Sequence, residues 1–504
     1  MNQLKAGVIL NYVIIGLNIL VGLAYTPYML RCLGQNEYGL YSLVASVIAY
    51  LTILDFGFGN AIVRYTAKFR AEGKISEQWE MFGMFTVLYS IIGLLTLGTG
   101  SLLYFNVEWM FDRTMTAEDL SQARIMMIFL IVNLALTFPF SIFSSIITAY
   151  EDFVFQKVVQ IIRILLCTAT LIVLLYWGYK AVAMVVIQTV FNIATLLLNF
   201  AYCRCHLHIK VWFHGFDWPF FKEVSIYSFW IFLNAIMDRI YWSTGQFVLG
   251  ALSGTIAVAI FSVAITLQQM YMQFSSSIAG VFLPRITAMV ISHKAKKEIS
   301  DMFISTGRLQ SIVMLLILSG FIVFGKGFIE IWAGKDYVQS YIITLIFFVS
   351  LFIPSIQNIG ISILQARNQM KFRSLCYVVI AIISLGLQVV FSKVMGAIGC
   401  ALAIGGALVI GQGLIMNIYY SQKQALDISR FWVEIGKMAI VPFLVTLLGI
   451  FSWRYVDYTR PCLLFFGICI YLIIYLPLFY RFGMNKHEKS LVVQPLKTIW
   501  DRVK

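Results

Sequence analysis

Val8-Ile-Leu-Asn-Tyr-Val-Ile-Ile-Gly-Leu-Asn-Ile-Leu-Val-Gly-Leu-Ala-Tyr-Thr-Pro-Tyr-Met-Leu30 runs for 23 residues without a charge. A helix of about 20 apolar residues crosses the hydrocarbon core of a bilayer, so this run predicts a membrane span. It is too long for a signal peptide and has no small-residue cleavage pattern, which predicts that it stays as the first helix. The pattern recurs along the chain. Apolar runs fall at roughly 8–30, 39–62, 81–105, 123–148, 158–178, 181–202, 225–250, 254–283, 306–332, 338–364, 374–394, 396–420, 435–455 and 461–480. Fourteen such helices take up roughly 300 residues. That leaves no room for a large extramembrane domain in a chain of 504.

Composition agrees. Apolar residues make up 60%, charged residues only 12%, and mean hydropathy is +0.86. Soluble domains carry roughly a quarter charged residues, so a water-soluble enzyme is close to excluded. Disorder is excluded by the 15% aromatic content. The expected fold class is therefore all-α integral membrane, with about fourteen transmembrane helices.

The net charge of +14 does not point to nucleic acid, because the basic residues are spread through short hydrophilic gaps. Counted on alternate gaps, about 26 Lys and Arg fall on one side and about 9 on the other. The rich side holds Lys5, Arg64, Lys157, Arg204, Arg285, Arg308, Arg367, Lys423 and the tail, which predicts that both termini are cytoplasmic. The acidic gap with Glu108, Asp112, Glu118 and Asp119 then faces outward. Eight cysteines form no framework. Cys203 and Cys205 with His206 and His208 resemble half of a metal site, but the second half of a zinc spacing is missing. A basic loop is the simpler reading, and no metal or other cofactor is expected.

The second half echoes the first at an offset of roughly 215–220 residues. Tyr41-Ser42 matches Phe261-Ser262, Arg64-Tyr-Thr-Ala67 matches Arg285-Ile-Thr-Ala288, and Phe138-Pro139 matches Ile353-Pro354. Six helices per repeat return the chain to its starting side, so the repeats are expected to be parallel. The expected organisation is a six-helix bundle over 1–222, a second over 223–422, and two further helices with a cytoplasmic tail over 423–504. Two bundles facing a central cavity is the arrangement expected of an alternating-access transporter.

Polar side chains recur at helical spacing within the spans. Asn133, Thr137, Ser141, Ser144 and Thr148 share one face of the fourth helix. Gln188, Asn192, Thr195 and Asn199 share a face of the sixth. Trp230, Asn234, Asp238 and Trp242 do so on the seventh, Gln269 and Gln273 with Ser276 or Ser277 on the eighth, and Asn11 and Asn18 on the first. Such groups either line a hydrated vestibule or hold helices together at about 0.6 kcal/mol each. Stripes on five helices favour a vestibule, and amides with aromatics suit a sugar. Charges inside the membrane are rarer and costlier. Asp55 lies about nine residues before Arg64, followed by the run Phe56-Gly-Phe-Gly-Asn60, whose glycines allow bending or close approach. Asp238 and Arg239 lie deep in the seventh helix and point about 100° apart. A shielded carboxyl favours its protonated form, which makes Asp55 and Asp238 candidates for proton or ion coupling. The substrate-cavity candidates are Asn18, Asp55, Asn133, Gln188, Asn192, Trp230, Asn234, Asp238, Arg239, Gln269 and Gln273.

Two features mislead. Gly320-Phe-Ile-Val-Phe-Gly-Lys-Gly327 looks like a phosphate loop but ends in Gly327 inside a membrane helix rather than in Ser or Thr after a strand. Lys294-Ala-Lys-Lys297 reads as a solvated loop or one touching anionic headgroups.

Leu33-Gly-Gln-Asn-Glu-Tyr-Gly-Leu-Tyr-Ser42, then Ile53-Leu-Asp-Phe-Gly57, then Ala61-Ile-Val-Arg-Tyr65, resembles the start of polysaccharide-biosynthesis flippases of the O-antigen translocase type. These belong to the multidrug/oligosaccharidyl-lipid/polysaccharide (MOP) exporter superfamily and share the MATE-like architecture. The resemblance is sharp over about the first 70 residues. It implies a multi-pass protein of the bacterial inner membrane. Its implied substrate is an undecaprenyl-pyrophosphate-linked oligosaccharide, moved from the cytoplasmic to the periplasmic leaflet by alternating access at the expense of an ion gradient. Implied partners are that glycan, membrane lipid, and the polymerase and chain-length proteins of the same pathway, with no nucleic acid. Related lipid II flippases carry several cavity arginines. Here only Arg239, Arg163 and Arg31 are candidates. Drug exporters tend to have an acid in the first helix, where this chain has Asn11 and Asn18. The alternatives are a multidrug or small-solute cation antiporter and a membrane polysaccharide polymerase. The polymerase would need a long outward loop, and the longest here is about 106–121.

Overall fold

The computed structural model describes residues 3–292, 295–367 and 369–490. It is all-helical, with no strand among the described residues. In chain order the helices are α1 (Gln3–Ala49), α2 (Phe58–Glu72), α3 (Ile75–Phe105), α4 (Val107–Phe111), α5 (Ala117–Ala149), α6 (Phe153–Tyr176), α7 (Ala181–Cys205) and α8 (Trp218–Trp242). They continue with α9 (Thr244–Ile291), α10 (Lys296–Trp332), α11 (Ser340–Ile356), α12 (Ile359–Ala366), α13 (Met370–Leu408), α14 (Met416–Gln422), α15 (Ile428–Ser452) and α16 (Pro461–Leu478).

Local chemistry sets several of these boundaries. Thr116 and Asp119 form a capping box at the start of α5, each side chain accepting the other's backbone N–H. Asp217 accepts from the Phe220 N–H at 3.0 Å to open α8, and Asp427 does the same for Arg430 in α15. Pro461 occupies the first turn of α16, where no N–H is needed.

Among the described residues ten helices are long and apolar enough to cross a membrane, or eleven if α11 and α12, bent by 41°, form one span. Three of the apolar stretches are far longer than one crossing requires: Ile9–Glu72, Phe232–Ile278 and Met370–Gln422, of 64, 47 and 53 residues. Each is broken inside a long helix by a glycine with non-helical backbone, at Gly34, Gly254 and Gly396. Gly34 (φ 74, ψ 176) and Gly254 (φ 82, ψ −178) have nearly the same dihedrals. Both lie at positive φ, which a side chain would strain. The expectation of one continuous helix through 39–62 is corrected. The chain leaves α1 as a 3-10 turn over Tyr50–Asp55, and Phe56 (φ 52) and Gly57 (φ 74) turn left-handed before α2 begins.

The chain divides into two compact units, 1–262 with 381–400, and 263–380 with 401–504. The first unit has an aromatic core in which Phe58, Phe82, Phe85, Tyr89, Phe138 and Phe143 are buried together. The turns of this unit gather at two ends. At one end Asn36 donates to Asp119 at 2.7 Å and accepts from Thr255. Lys180 pairs with Glu37 at 3.3 Å, and Thr114 donates to the Gly250 carbonyl at 2.7 Å. At the other end Arg70 donates to the Ala149 carbonyl at 3.1 Å and lies over Tyr150, while Lys157 reaches Asn11 at 2.9 Å.

In the second unit Phe303, Phe347 and Phe431 are fully buried, and Tyr271 stacks on Phe348 at 4.3 Å. Arg308, almost wholly buried, holds Glu488 at 2.6 Å and Glu434 at 2.9 Å and also donates to the Gly483 carbonyl. That cluster ties α10, α15 and the segment after α16 together. Pro139 and Pro354, matched by the repeat, behave differently. Helix α5 continues past Pro139 to Ala149, whereas α11 stops two residues beyond Pro354.

Candidate functional site

Asp55 sits at the last position of the 3-10 turn, half-buried, with its carboxylate accepting from the Tyr89 hydroxyl of α3 at 2.8 Å. The break is possible because Phe56 and Gly57 take left-handed conformations, and it is covered by α8. Phe56 packs on Phe232 of α8 with ring centroids 4.9 Å apart, and the Tyr50 and Thr244 hydroxyls share a hydrogen bond. These two pins run in opposite directions along the chain, Tyr50 with Thr244 and Phe56 with Phe232. The Asp55 segment therefore lies antiparallel to α8, opposite the turns that carry Asn234 and Asp238. Asn234 and Arg239 are half-buried and Asp238 is exposed from protein. Consecutive helical positions point about 100° apart, which accounts for the different surroundings of Asp238 and Arg239. The Arg239 carbonyl accepts from Thr244 where α8 ends. Trp230 belongs to α8, but its side chain lies outside the described residues.

The polar face shared by α5 and α7 is a direct network. Asn192 donates to the Asn133 side-chain oxygen and to the Thr137 hydroxyl, each at 2.8 Å. Gln188, one turn away on α7, accepts from the Tyr41 hydroxyl of α1 at 3.1 Å. Further along α5, Gln156 of α6 bridges Ser144 and Thr148 at 2.8 and 3.2 Å. Amides that face one another across helices satisfy each other, so each of these groups contributes to helix association. They also remain half-buried rather than sealed. Asn18 of α1 is exposed from protein.

Gln269 and Gln273 belong to α9 and to the second unit. Gln269 is exposed from protein. Gln273 is half-buried, and its side-chain oxygen is shielded from solvent without a hydrogen-bond partner among the described residues. In the same unit Gln310 donates to the Ser275 carbonyl at 3.1 Å, and Ser275 donates to the Ser355 carbonyl at 2.6 Å. Cys203 is buried with its thiol directed at the Phe143 carbonyl, 3.5 Å away, while Cys205 is exposed. Among the described residues no three His, Cys, Asp or Glu side chains converge as a metal would need.

Several residues in these arrangements were not legible as site residues in the sequence. Tyr89, Thr244 and Thr255 belong to no motif or polar stripe, and Tyr41 stood out only in the repeat and the motif Leu33–Ser42. Asn36 was visible only as part of a motif. Its bonds to Asp119 and Thr255 depend on three turns meeting in space, and no spacing along the chain records that.

Comparisons with known proteins follow the same lines. The family model described as polysaccharide biosynthesis protein matches residues 4–290. A putative O-antigen transporter of Shigella flexneri is 19% identical over 411 residues, 79% of this chain and 94% of that protein. Among solved structures, the lipid II flippase MurJ in an inward closed conformation superposes with a TM-score of 0.71 at 17% identity, covering 94% of this chain and 98% of that one. An inward-facing multidrug resistance MATE transporter of the MOP superfamily gives 0.64 at 12% identity, over 81% and 96% of the two chains. At these identities the structures share the fold and nothing finer. Taken with the family match, which spans more than half of the sequence, they make this chain a multi-pass membrane protein with the MOP fold that belongs to the polysaccharide biosynthesis protein family.

Proposed function

We propose that the protein is a flippase. It moves an undecaprenyl-pyrophosphate-linked oligosaccharide repeat unit from the cytoplasmic to the periplasmic leaflet of a bacterial inner membrane by alternating access. It makes and breaks no covalent bond. The observation that carries this reading is the interrupted helix at Asp55-Phe56-Gly57, held by Tyr89 and lying along the polar turns of α8. Broken helices near mid-membrane are a device of secondary transporters, because they put a charged or polar group at that depth without exposing backbone to lipid. The family match and the O-antigen transporter relative favour a glycan on a lipid carrier over a cationic drug.

In this reading Asp55 and Asp238 take part in coupling to a proton or ion gradient. Asn18, Asn133, Gln188, Asn192, Trp230, Asn234, Arg239, Gln269 and Gln273 contact the sugar. The organisation is two parallel six-helix bundles, 1–222 and 223–422, with the additions over 423–504, and both termini are cytoplasmic. The similar dihedrals at Gly34 and Gly254 support the repeat. Fourteen crossings result when α11 and α12 form one span, making eleven, and each of the three glycine-broken stretches folds back into two. The polymerase and chain-length proteins of the pathway are the proposed partners.

Deleting the gene tests this. The expected result is an intact lipid-linked repeat unit that accumulates on the inner face, with surface polysaccharide lost and then restored by the wild-type gene. Normal surface polysaccharide with no accumulated precursor overturns the assignment. Loss of drug resistance with polysaccharide intact would favour the antiporter.

A further inference from the structure

A cavity of about 420 Å³ opens in the first unit where α3 ends and α4 and α5 begin. Its polar lining is Tyr104, Glu108, Asp112, Ser121 and Arg124. Arg124 is held in place: its guanidinium pairs with Glu108 at 2.9 Å and lies 5.7 Å from the Tyr104 ring centre. About a third (34%) of the Arg124 side chain stays exposed, and only one terminal nitrogen pairs with Glu108, so the open edge of the guanidinium is free to meet an anion. Glu108 is taken up by Arg124. Asp112 is exposed and forms no ion pair among the described residues, which leaves a carboxylate for a cation beside the anion position.

The surroundings are those of a membrane boundary. Trp109 is 86% and Phe105 73% exposed next to the cavity, as expected of aromatics at the headgroup level. From the cavity an exposed apolar stripe descends along one face of α5 through Ile125, Ile128, Val132 and Leu136. At 1.5 Å per residue the stripe is about 16 Å long, the reach of much of an acyl chain.

We propose that this cavity binds the headgroup of an ethanolamine phospholipid. The phosphate meets the exposed edge of the Arg124 guanidinium and the Ser121 hydroxyl, the ammonium meets Asp112, and one acyl chain lies along the α5 stripe. The choice of a zwitterionic lipid over an anionic one follows from the charge of the pocket, two carboxylates against a single guanidinium. The inference does not depend on the transported substrate or on which leaflet this end meets.

The test is native mass spectrometry of the full-length protein in detergent, titrated in parallel with dioleoyl phosphatidylethanolamine, phosphatidylcholine and phosphatidylglycerol. Phosphatidylethanolamine is expected to bind in preference to phosphatidylglycerol. Asp112→Asn is expected to erase that preference, lowering phosphatidylethanolamine occupancy roughly two- to fivefold, as befits an ion pair at an accessible site. Arg124→Gln is expected to weaken both phosphatidylethanolamine and phosphatidylcholine. Asp112 is exposed, so its replacement leaves folding intact, and an unchanged melting temperature checks this. Equal binding of phosphatidylglycerol and phosphatidylethanolamine by the wild-type protein overturns the proposal, as does unaltered lipid selectivity in Asp112→Asn.

Discussion

The Tyr89 hydroxyl donates to the Asp55 carboxylate across 2.8 Å, joining the middle of α3 to the point where the chain between α1 and α2 gives up helical geometry. Tyr89 is fully buried in the aromatic core, stacked on Phe138 and edge-on to Phe58. The donor is thus fixed by packing, and Asp55 is oriented by a rigid partner. This pairing separates a structural role from a transport role.

Asp55→Asn keeps an acceptor for Tyr89, so the fold is expected to hold and the melting temperature to stay within a few degrees of wild type. Under the proposed coupling, translocation loses its dependence on an imposed proton gradient. The check is transport of a labelled lipid-linked glycan into proteoliposomes with and without that gradient, and unchanged gradient dependence removes Asp55 from coupling. Tyr89→Phe does the reverse. It leaves Asp55 short of a donor and is expected to cost about 1–3 kcal/mol in stability.

Asn192 bridges Asn133 and Thr137. If it serves only to join α5 and α7, Asn192→Ala costs about 1 kcal/mol, since interhelical hydrogen bonds average roughly 0.6 kcal/mol each. If it also meets the sugar, transport falls at least tenfold, which is about 1.4 kcal/mol in the barrier, with stability changed no further. Measuring thermal unfolding and transport on the same variant distinguishes the two.

Gly39 lies so close to α9 that an added Cβ would overlap the Thr255 carbonyl. The contact is with backbone and cannot be relieved by a rotamer change. Gly39→Ala is expected to destabilise the first unit by about 1–3 kcal/mol, as overpacking does. It is also expected to expose a reporter cysteine placed at Asn36 to a water-soluble maleimide. No gain in labelling would mean that this end adapts without opening.

Arg308 is the centre of the buried cluster with Glu434 and Glu488. Arg308→Met leaves Glu488, itself buried, without its counter-ion. The expected loss is about 3–5 kcal/mol, the usual cost of breaking a buried pair from one side. Removing both charges in Arg308→Met with Glu488→Met is expected to recover most of it. A double variant no more stable than the single one would show that the remaining contacts, to Glu434 and the Gly483 carbonyl, carry the cluster. Thermal unfolding in detergent measures both.

Much of the architecture was legible because the bilayer imposes one dominant requirement: backbone polar groups in hydrocarbon must be satisfied within the segment. Long uncharged runs such as Val8 to Leu30 therefore have one stable form. The amide and hydroxyl stripes on α5 and α7 also followed from helical spacing, and Asn133, Thr137 and Asn192 do meet. The 3-10 break was legible only in part. The glycines after Asp55 allow a bend, but Tyr50 to Asp55 is as apolar as a helix requires, and the contacts of Tyr50 with Thr244 and of Phe56 with Phe232 show where helical geometry is interrupted.

The sequence by itself determined that this chain lies in a membrane as packed helices and that polar side chains recur on particular faces, because hydropathy and periodicity are local properties. Tertiary structure alone decided which of those side chains meet. Asp55 finds Tyr89, Asn36 finds Asp119 and Thr255, and Arg308 finds Glu488 across 180 residues. Such pairings depend on the crossing of distant helices and the directions of fixed rotamers, and a chain read in one dimension holds neither.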